Sequence, residues 1–328
     1  MSSIDWNPIE PLIEAARVCV ISSHMRADCD ALGSELALAA LLRSLGKQTL
    51  IVNGDGVPEH IGFMDPDGQV RVLGETIQPE EVQGADTFFV VDTSAWGQLG
   101  PMADLLREFT GTKVLIDHHV SSDDLGVQVF KDSSAEATGR LILELAEHLG
   151  VEIDTQTAKL VFTAIATDTG WFRFPSVTGT TFRALARLVD GGASPPDVFS
   201  ALYEKHSLAR LHLRGRILSH IESHAGGRLF TSAVSQQDFQ ETHSATTDTE
   251  DAINSLLSID GSRVAALFVE LPDGQTKVSL RSRGGFDVSA VAEQFGGGGH
   301  RAASGIRVSE PLAEAQRMIL DALLRALG

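Results

Sequence analysis

The sequence predicts an α/β protein with an N-terminal parallel-sheet domain, a helical linker and a smaller mixed α/β domain. Short, continuously apolar runs alternate with helical patterns in the first half, as in parallel sheets covered on both faces. A doubled glycine and a doubled proline at 191–196 then break the composition. Further on, Pro272-Asp273-Gly274 is the turn signal of an antiparallel hairpin. We expect domains at 1–190 and 225–328, with the linker at 191–224.

Size and charge restrict the classes of function. The chain has 328 residues and 43% hydrophobic residues, enough for two domains with apolar cores. It carries 44 acidic against 26 basic residues and a net charge of -18. Such a surface repels long polyanions, so we expect no protein that tracks along duplex DNA or long RNA. A short phosphorylated substrate in one local pocket remains compatible with this charge.

The cysteines and the N-terminus predict a cytoplasmic protein. Cys19 lies in an apolar run and Cys29 between two aspartates, so the pair does not look like a disulfide framework. The first eleven residues have neither the basic start nor the apolar core of a signal peptide. The apolar helix around 36–45 is too short to span a bilayer. We expect no membrane partner, and a homodimer is possible.

The elements of the first domain follow from the apolar pattern. Helical spacing predicts one helix at 31–45, ending at Gly46, and another at 158–166. Four apolar runs predict strands at Val18–Ser22, Gln48–Asn53, 87–92 and 113–117.

Acids and imidazoles stand at the ends of these strands, where open α/β sheets bind their ligands. His24, Asp28 and Asp30 follow the first strand, Asp92 ends the third, and Asp117-His118-His119 ends the fourth. Asp168 comes at a helix C-terminus, where the helix dipole favours a cation rather than an acid. Two simpler interpretations are that Asp30 only caps the following helix, worth about 1 kcal/mol, and that Asp92 is a turn residue. Neither explains the whole set.

The charge of this set predicts metal ions. Four carboxylates close together, from Asp28, Asp30, Asp92 and Asp168, would repel one another and partly protonate. Two divalent cations cancel four negative charges, and mixed carboxylate and imidazole ligands suit Mn²⁺, with Mg²⁺ or Co²⁺ as alternatives. Two metals a few ångströms apart are a known device for hydrolysing phosphoesters, because they activate water and stabilise the developing charge.

The second half predicts a smaller domain with its own binding loop. Strands are expected at Leu229–Val234, 263–271 and 276–283, and helices at 197–203, 208–224, 248–258, 288–295 and 313–327. Arg210, Arg214 and Arg216 are interpreted as a solvated helix face. Arg281, Arg283 and His300 lie near four glycines at 296–299, whose exposed N–H groups are suited to binding a phosphate or base. A flexible surface linker is the alternative for these glycines.

Taken together, the motifs resemble those of the DHH phosphoesterase superfamily. The motifs are HMRADCDALG at 24–33, VVDTS at 90–94, IDHH at 116–119, ATDTGWFRF at 166–174 and, like the associated DHHA1 domain, GGGGHRAASG at 296–305. Length and domain order are similar to the NrnA-type branch, whose members degrade very short RNA and dephosphorylate 3′-phosphoadenosine 5′-phosphate (pAp). The first loop departs from the usual Pro-Asp-Gly-Asp, with Ala27-Asp28-Cys29-Asp30 in its place, and Cys29 is expected to point into the packing below.

The resemblance implies a role for each residue. His24 and Asp28 would hold one metal, Asp30, His118 and Asp168 the other, and Asp92 both. His119 would face the scissile phosphate, and Asp117 would orient its neighbours. In the second domain, Arg281, Arg283, Gly298, Gly299 and His300 would contact the substrate nucleotide, in a cleft between the domains.

The prediction is therefore a two-metal phosphoesterase acting on very short oligoribonucleotides and pAp, with two Mn²⁺ per chain. Three alternatives stay open: a phosphodiesterase for cyclic or linear dinucleotides, an inorganic pyrophosphatase, and a non-enzymatic nucleotide sensor. Pyrophosphate has no base for the glycine-rich loop to bind, and a sensor has no need of two metals.

Overall fold

The computed structural model describes residues 4–328, which divide into two compact units, the first ending at Lys205 and the second spanning His206–Gly328. The boundary between the units falls inside the predicted linker at 191–224. The exact domain limits proposed from the sequence stay a prediction. Within the described residues, no helix combines the length and the apolar character needed to cross a membrane.

The first unit is built on a six-stranded sheet in which every pair of neighbouring strands is parallel. The strand order is β3-β2-β1-β4-β5-β6. The strands are β1 (Val18–Ser22), β2 (Gln48–Asn53), β3 (Val70–Val72), β4 (Thr87–Val91), β5 (Thr112–Asp117) and β6 (Gln128–Lys131). The predicted α/β fold class is confirmed.

Helices cover both faces of this sheet. They are α1 (Glu10–Ala15), α2 (Cys29–Ser44), α3 (Pro79–Val82), α4 (Met102–Glu108), α5 (Thr138–His148), α6 (Thr155–Asp168), α7 (Gly179–Asp190) and α8 (Pro195–Tyr203). Strand β4 shows the effect of this cover: Phe88 and Val90 pack into the core on one face, and Phe89 and Val91 into the core on the other. Burial on both faces explains why the strand is continuously apolar from Phe88 to Val91.

The strand order places a switch point between β1 and β4. From β1 the chain continues to β2 on one side, and β4 returns to the other side of β1. At such a point the loops that follow two neighbouring parallel strands run in opposite directions and leave a crevice at their carboxyl ends. The loop after β1 and the residue after β4 therefore meet at one edge of the sheet.

The second unit contains a mixed six-stranded sheet of order β11-β12-β10-β9-β8-β7, in which only β8 and β9 pair in parallel. Its strands are β7 (Glu222–His224), β8 (Leu229–Val234), β9 (Val264–Glu270), β10 (Thr276–Ser282), β11 (Gly298–His300) and β12 (Ala303–Val308). Its helices are α9 (Leu208–Ser219), α10 (Gln236–Thr242), α11 (Ala252–Leu257), α12 (Ser289–Ala292) and α13 (Leu312–Leu327).

The sequence predicted all but one of the interior strands, and it missed the edge strands and the helices α1, α3, α4, α5, α7 and α10. Gly46, with φ +79°, follows the end of α2 as predicted, and β9 and β10 form the predicted antiparallel hairpin. Strands β3, β6, β7, β11 and β12 were not predicted. Four of them lie at or next to a sheet edge, are three or four residues long, and lack an apolar run. Helix α9 is shorter than predicted because the chain re-enters the sheet as β7.

Candidate metal centre

The loop after β1 projects two aspartates in different directions. Asp28 is the N-cap of α2: its Oδ1 accepts hydrogen bonds from the N–H groups of Asp30 (2.9 Å) and Ala31 (3.0 Å). The simpler interpretation, that Asp30 only caps this helix, is wrong. Asp30 instead points inward with its side chain 1% exposed. The predicted burial of Cys29, which begins α2, is confirmed by its 6% exposure.

Helix α5 receives the buried carboxylates at its N-terminus. The N–H of Thr138 donates to Asp30 Oδ2 at 2.7 Å, and the N–H of Gly139 donates to Asp30 Oδ1 at 2.8 Å. Thr138 Oγ1 donates to Asp92 Oδ1 at 2.8 Å. Free N–H groups at a helix N-terminus stabilise negative charge. The close packing of α5 against α6 requires glycine at position 139, because a Cβ on Gly139 would lie 2.6 Å from the Cβ of Ala164.

Asp92 lies at the switch point in a left-handed backbone conformation, with φ +59°. Aspartate tolerates this conformation better than most residues, but it is uncommon outside glycine and concentrates at functional sites. The turn directs both carboxylate oxygens into the crevice, where Oδ2 is 3.5 Å from His24 Nε2 and Oδ1 is 3.6 Å from His118 Nε2.

Each of these two histidines is oriented by a backbone carbonyl. The Nδ1 of His24 is 3.0 Å from Met25 O, and the Nδ1 of His118 is 3.2 Å from Ala135 O. A carbonyl only accepts hydrogen bonds, so each Nδ1 carries the proton and each Nε2 has a free lone pair directed at the acids. This is how metal-binding imidazoles are commonly held.

Asp168, the last residue of α6, completes the cluster. Its Oδ2 is 3.5 Å from His118 Nε2, which is also 3.7 Å from Asp30 Oδ2. Ligand atoms lie within 4.8 Å of one another in three overlapping groups: His24, Asp28 and Asp92; Asp30, His118 and Asp168; and Asp92, His118 and His119. The structure thus brings together all six residues predicted as metal ligands.

The electrostatics of this cluster fit divalent cations. Burial, reinforced by the charge of Asp92, raises the pKa of Asp30 well above its ordinary value. Burial and the charge of Asp28 do the same to the pKa of Asp92. Without a cation, these carboxyls resist ionisation because they lie together out of water. Carboxylates and imidazoles with directed lone pairs are ligands that remove this conflict when a metal binds.

Asp117 does not point at the cluster but organises the residues beside it. Its Oδ1 accepts from His119 Nδ1 at 2.8 Å, and its Oδ2 is 2.9 Å from the Lys131 ammonium and 2.8 Å from Ser94 Oγ. Burial alone would raise the pKa of Asp117, but these three hydrogen-bond donors outweigh it and hold the pKa far below the usual range. The same hydrogen bond raises the pKa of His119 above its ordinary value.

Comparison with known proteins identifies the family. Residues 18–165 match the DHH family, N-terminal domain, and residues 229–328 match the DHHA1 domain. The chain is 30% identical to the bifunctional oligoribonuclease and PAP phosphatase NrnA of Thermus thermophilus, over 94% of this chain and 89% of that one. It belongs to the DHH phosphoesterase family.

Two further comparisons also extend over nearly the whole chain. The chain is 29% identical to the bifunctional oligoribonuclease and PAP phosphatase NrnA of Bacillus subtilis, over 92% of both chains. The crystal structure of an exopolyphosphatase-related protein from Bacteroides fragilis superposes with a TM-score of 0.88 at 25% identity, covering 99% of this chain and 98% of that one. The resemblance read from the sequence motifs is confirmed.

Three of the predicted contacts of the DHHA1 domain lie on the edge strand of its sheet. Gly298, Gly299 and His300 form the exposed strand β11, so the glycine run is partly a strand rather than a loop or a flexible linker. His300 pairs with Ala303 of β12, which pairs with Arg281 of β10. Paired positions face the same side of a sheet, so Arg281 and His300 share one face, about 10 Å apart across two strand spacings.

Two arginine predictions in this domain have different outcomes. The guanidinium of Arg283 donates to the backbone carbonyls of Ile259 (2.9 Å) and Ser262, so it supports the turn after α11. Its substrate contact stays a prediction. The solvated arginine face of α9 is only partly solvated: Arg210 donates to Glu250 O at 3.2 Å and Arg214 donates to Ser255 Oγ at 3.0 Å.

Several supporting residues of the DHH site were missed from the sequence. Thr138 and Gly139 bind the buried carboxylates, and Lys131 and Ser94 bind Asp117. Thr-Gly at the start of an apolar helix is a signal for an anion-binding N-terminus that could have been recognised. Nothing in the local sequence links Lys131 to Asp117, because their contact depends on the pairing of β5 with β6.

Proposed function

We propose that the protein is a two-metal phosphoesterase that hydrolyses very short oligoribonucleotides and pAp. The observation that carries the proposal is the convergence of two imidazoles and four carboxylates at the switch point of the sheet. The NrnA proteins, which match nearly their whole length to this chain, support the choice of substrate.

The metal assignment rests on the overlapping groups of ligand atoms. We propose that His24 and Asp28 hold one ion, that Asp30, His118 and Asp168 hold the other, and that Asp92 touches both. Mn²⁺ fits this mixed donor set best. When bound, two such ions supply an activated water and stabilise negative charge on phosphorus and on the leaving oxygen.

His119 acts on the substrate rather than on the metals in this proposal. Its Nδ1 is occupied by Asp117, and 40% of its side chain is exposed to solvent, so its Nε2 is free to contact a phosphate oxygen. A protonated imidazole at this place donates a charge-assisted hydrogen bond that strengthens as charge develops on the phosphate. The role of Asp117 is to fix the orientation of that ring.

The DHHA1 domain supplies nucleotide binding. We propose that Arg281 and His300, on one face of the sheet, contact a phosphate or base, and that the exposed backbone of Gly298 and Gly299, on the edge strand, adds hydrogen bonds. The net charge of -18 disfavours long nucleic acid and leaves short substrates. Two free, buried cysteines support a cytoplasmic location.

A substrate panel tests the function. Purified protein with Mn²⁺ is assayed on pAp, 5′-phosphorylated diribonucleotides, linear and cyclic di-AMP, and pyrophosphate. The proposal expects release of phosphate from pAp and of mononucleotides from the dinucleotides. Intact pAp and dinucleotides beside hydrolysed pyrophosphate or cyclic dinucleotide would contradict it, and binding without turnover would indicate a sensor.

Matched variants separate the two binding roles. His118→Ala should lose turnover, whereas His212→Ala, at an exposed position of α9, should keep it. Arg281→Ala should raise KM and leave kcat nearly unchanged, since the side chain is assigned to binding alone. Full turnover by His118→Ala would refute the metal assignment.

A further inference from the structure

Lys131 is a partly buried lysine that no sequence motif includes. It is the last residue of β6, at the sheet edge, and it pairs in register with Asp117 of β5. Only 14% of its side chain is exposed. A lysine ammonium is costly to remove from water unless it is paired and hydrogen-bonded, so its position calls for partners.

The ammonium has three N–H donors, and three acceptors meet it. Asp117 Oδ2 lies at 2.9 Å, Ser94 Oγ at 2.7 Å and the backbone carbonyl of Ser121 at 2.7 Å. These acceptors come from the residues after β4, the end of β5 and the loop after β5. Because all three donors are used inside the protein, Lys131 is not placed to bind a substrate phosphate.

Asp117 links Lys131 to His119 through its two carboxylate oxygens. Oδ2 accepts hydrogen bonds from Lys131 and Ser94, whereas Oδ1 accepts from the backbone N–H of His119 at 3.1 Å and from its ring Nδ1 at 2.8 Å. An ionised carboxylate only accepts hydrogen bonds, so the His119 ring must carry a proton on Nδ1. With 40% of its side chain exposed, packing alone does not fix the ring.

We propose that Lys131 is a positioning residue for His119: it holds the Asp117 carboxylate in one orientation, so that Asp117 fixes the His119 ring through Nδ1 and directs Nε2 at the substrate. The direction of Nε2 at the substrate rests on the proposed function, whereas the hydrogen bond between His119 and Asp117 does not. A plain structural tie between β6 and the loop after β5 would also place a lysine here, but loss of its ammonium would then leave that hydrogen bond unchanged.

Nitrogen NMR of the metal-free protein tests the hydrogen bond between His119 and Asp117 without any substrate. Histidine is labelled with ¹⁵N in the wild type, in Lys131→Met and in Lys113→Met, a lysine of β5 whose ammonium donates to Arg107 O at 3.4 Å. The signal of the His119 Nδ1 proton is assigned by its absence in His119→Gln, and a ring proton held in a hydrogen bond exchanges with water slowly enough to be seen. We expect this signal in the wild type and in Lys113→Met. In Lys131→Met we expect it to be lost or to exchange much faster.

A double-mutant cycle on kcat tests the path of the effect. Loss of a supporting partner beside a metal site commonly lowers activity by about 10- to 100-fold, and we expect this for Lys131→Met with pAp and Mn²⁺. In a His119→Ala background, the same substitution should change kcat by less than about twofold, because the ring through which it acts is gone. Equal losses in both backgrounds would overturn the proposal.

The outcomes separate this proposal from the proposed function. An unchanged Nδ1 proton signal of His119 in folded Lys131→Met overturns the role of Lys131, whatever the substrate proves to be. If the wild type hydrolyses neither pAp nor dinucleotides, the function is wrong, and the NMR measurement still decides the role of Lys131. If Lys131→Met does not fold, Lys131→Leu replaces it under the same criteria, since leucine likewise has no hydrogen-bond donor for Asp117.

Discussion

Glu35 is a fully buried acid in the middle of α2, one helical turn beyond the metal-site loop. Its Oε2 accepts a hydrogen bond from Asn53 Nδ2 at 3.1 Å, and Asn53 Oδ1 in turn accepts from Ser22 Oγ at 3.2 Å and Ser23 N at 3.2 Å. Burial raises the pKa of Glu35 from 4.5 to about 7, since the hydrogen bonds offset only part of the lost hydration. Folding therefore favours the protonated acid.

This pKa shift predicts a pH-dependent effect of Glu35→Gln. The folded protein binds the proton more tightly than the unfolded chain, so the wild type is most stable below pH 4.5 and loses stability as pH rises to about 7. At 1.36 kcal/mol per pKa unit the full loss is about 3.4 kcal/mol, of which about 2.5 kcal/mol falls between pH 5 and pH 8. Glutamine keeps the acceptor for Asn53 but has no charge, so it removes this loss.

Urea unfolding of the metal-free protein measures the effect. The free energy of unfolding of Glu35→Gln minus that of the wild type should rise by about 2.5 kcal/mol from pH 5 to pH 8. Glu108→Gln, at an exposed position of α4, is the matched control and should give a difference that does not vary with pH. A difference for Glu35→Gln that is flat, or falls with pH, would refute the reasoning.

Three further outcomes are expected at the metal centre. Mn²⁺ at about 100 times its Kd should raise the free energy of unfolding by about 2.7 kcal/mol for each ion, seen as a higher Tm that EDTA reverses; an unchanged Tm would contradict binding. Asp92→Asn should stabilise the metal-free protein, because a buried charge is lost, and should abolish the Mn²⁺-dependent rise in Tm; a normal rise would exclude Asp92 as a shared ligand. Gly139→Ala should destabilise the fold by about 1–3 kcal/mol, since its Cβ would lie 2.6 Å from that of Ala164. The control is Gly215→Ala in α9, which should be neutral or stabilising because a Cβ there meets nothing within 4 Å.

The ligand cluster could be predicted from the sequence because its residues follow apolar strands. A parallel sheet brings the carboxyl ends of its strands to one edge, so His24, Asp92 and His118 had to lie near one another once the strands were recognised. Asp168 was harder to place, since it ends a helix, but its conflict with the helix dipole was informative.

The supporting contacts depend on pairings that the sequence does not display. Strand β6 has one buried position in four and no apolar run, so neither the strand nor the lysine that ends it was predicted. The simpler interpretation gave the cap of α2 to Asp30, which directly precedes Ala31. The structure starts the helix earlier, and Asp28 takes the cap while Asp30 turns to the N-terminus of α5. That choice depends on a contact 108 residues away.

Anomalous diffraction from crystals grown with Mn²⁺ tests the two-metal site most directly. We expect two manganese peaks per chain, about 3.5–4 Å apart, one in contact with His24 and Asp28, the other with Asp30, His118 and Asp168, and Asp92 touching both. A single peak, or peaks that leave Asp92 without a metal contact, would contradict the assignment on which the proposed function depends.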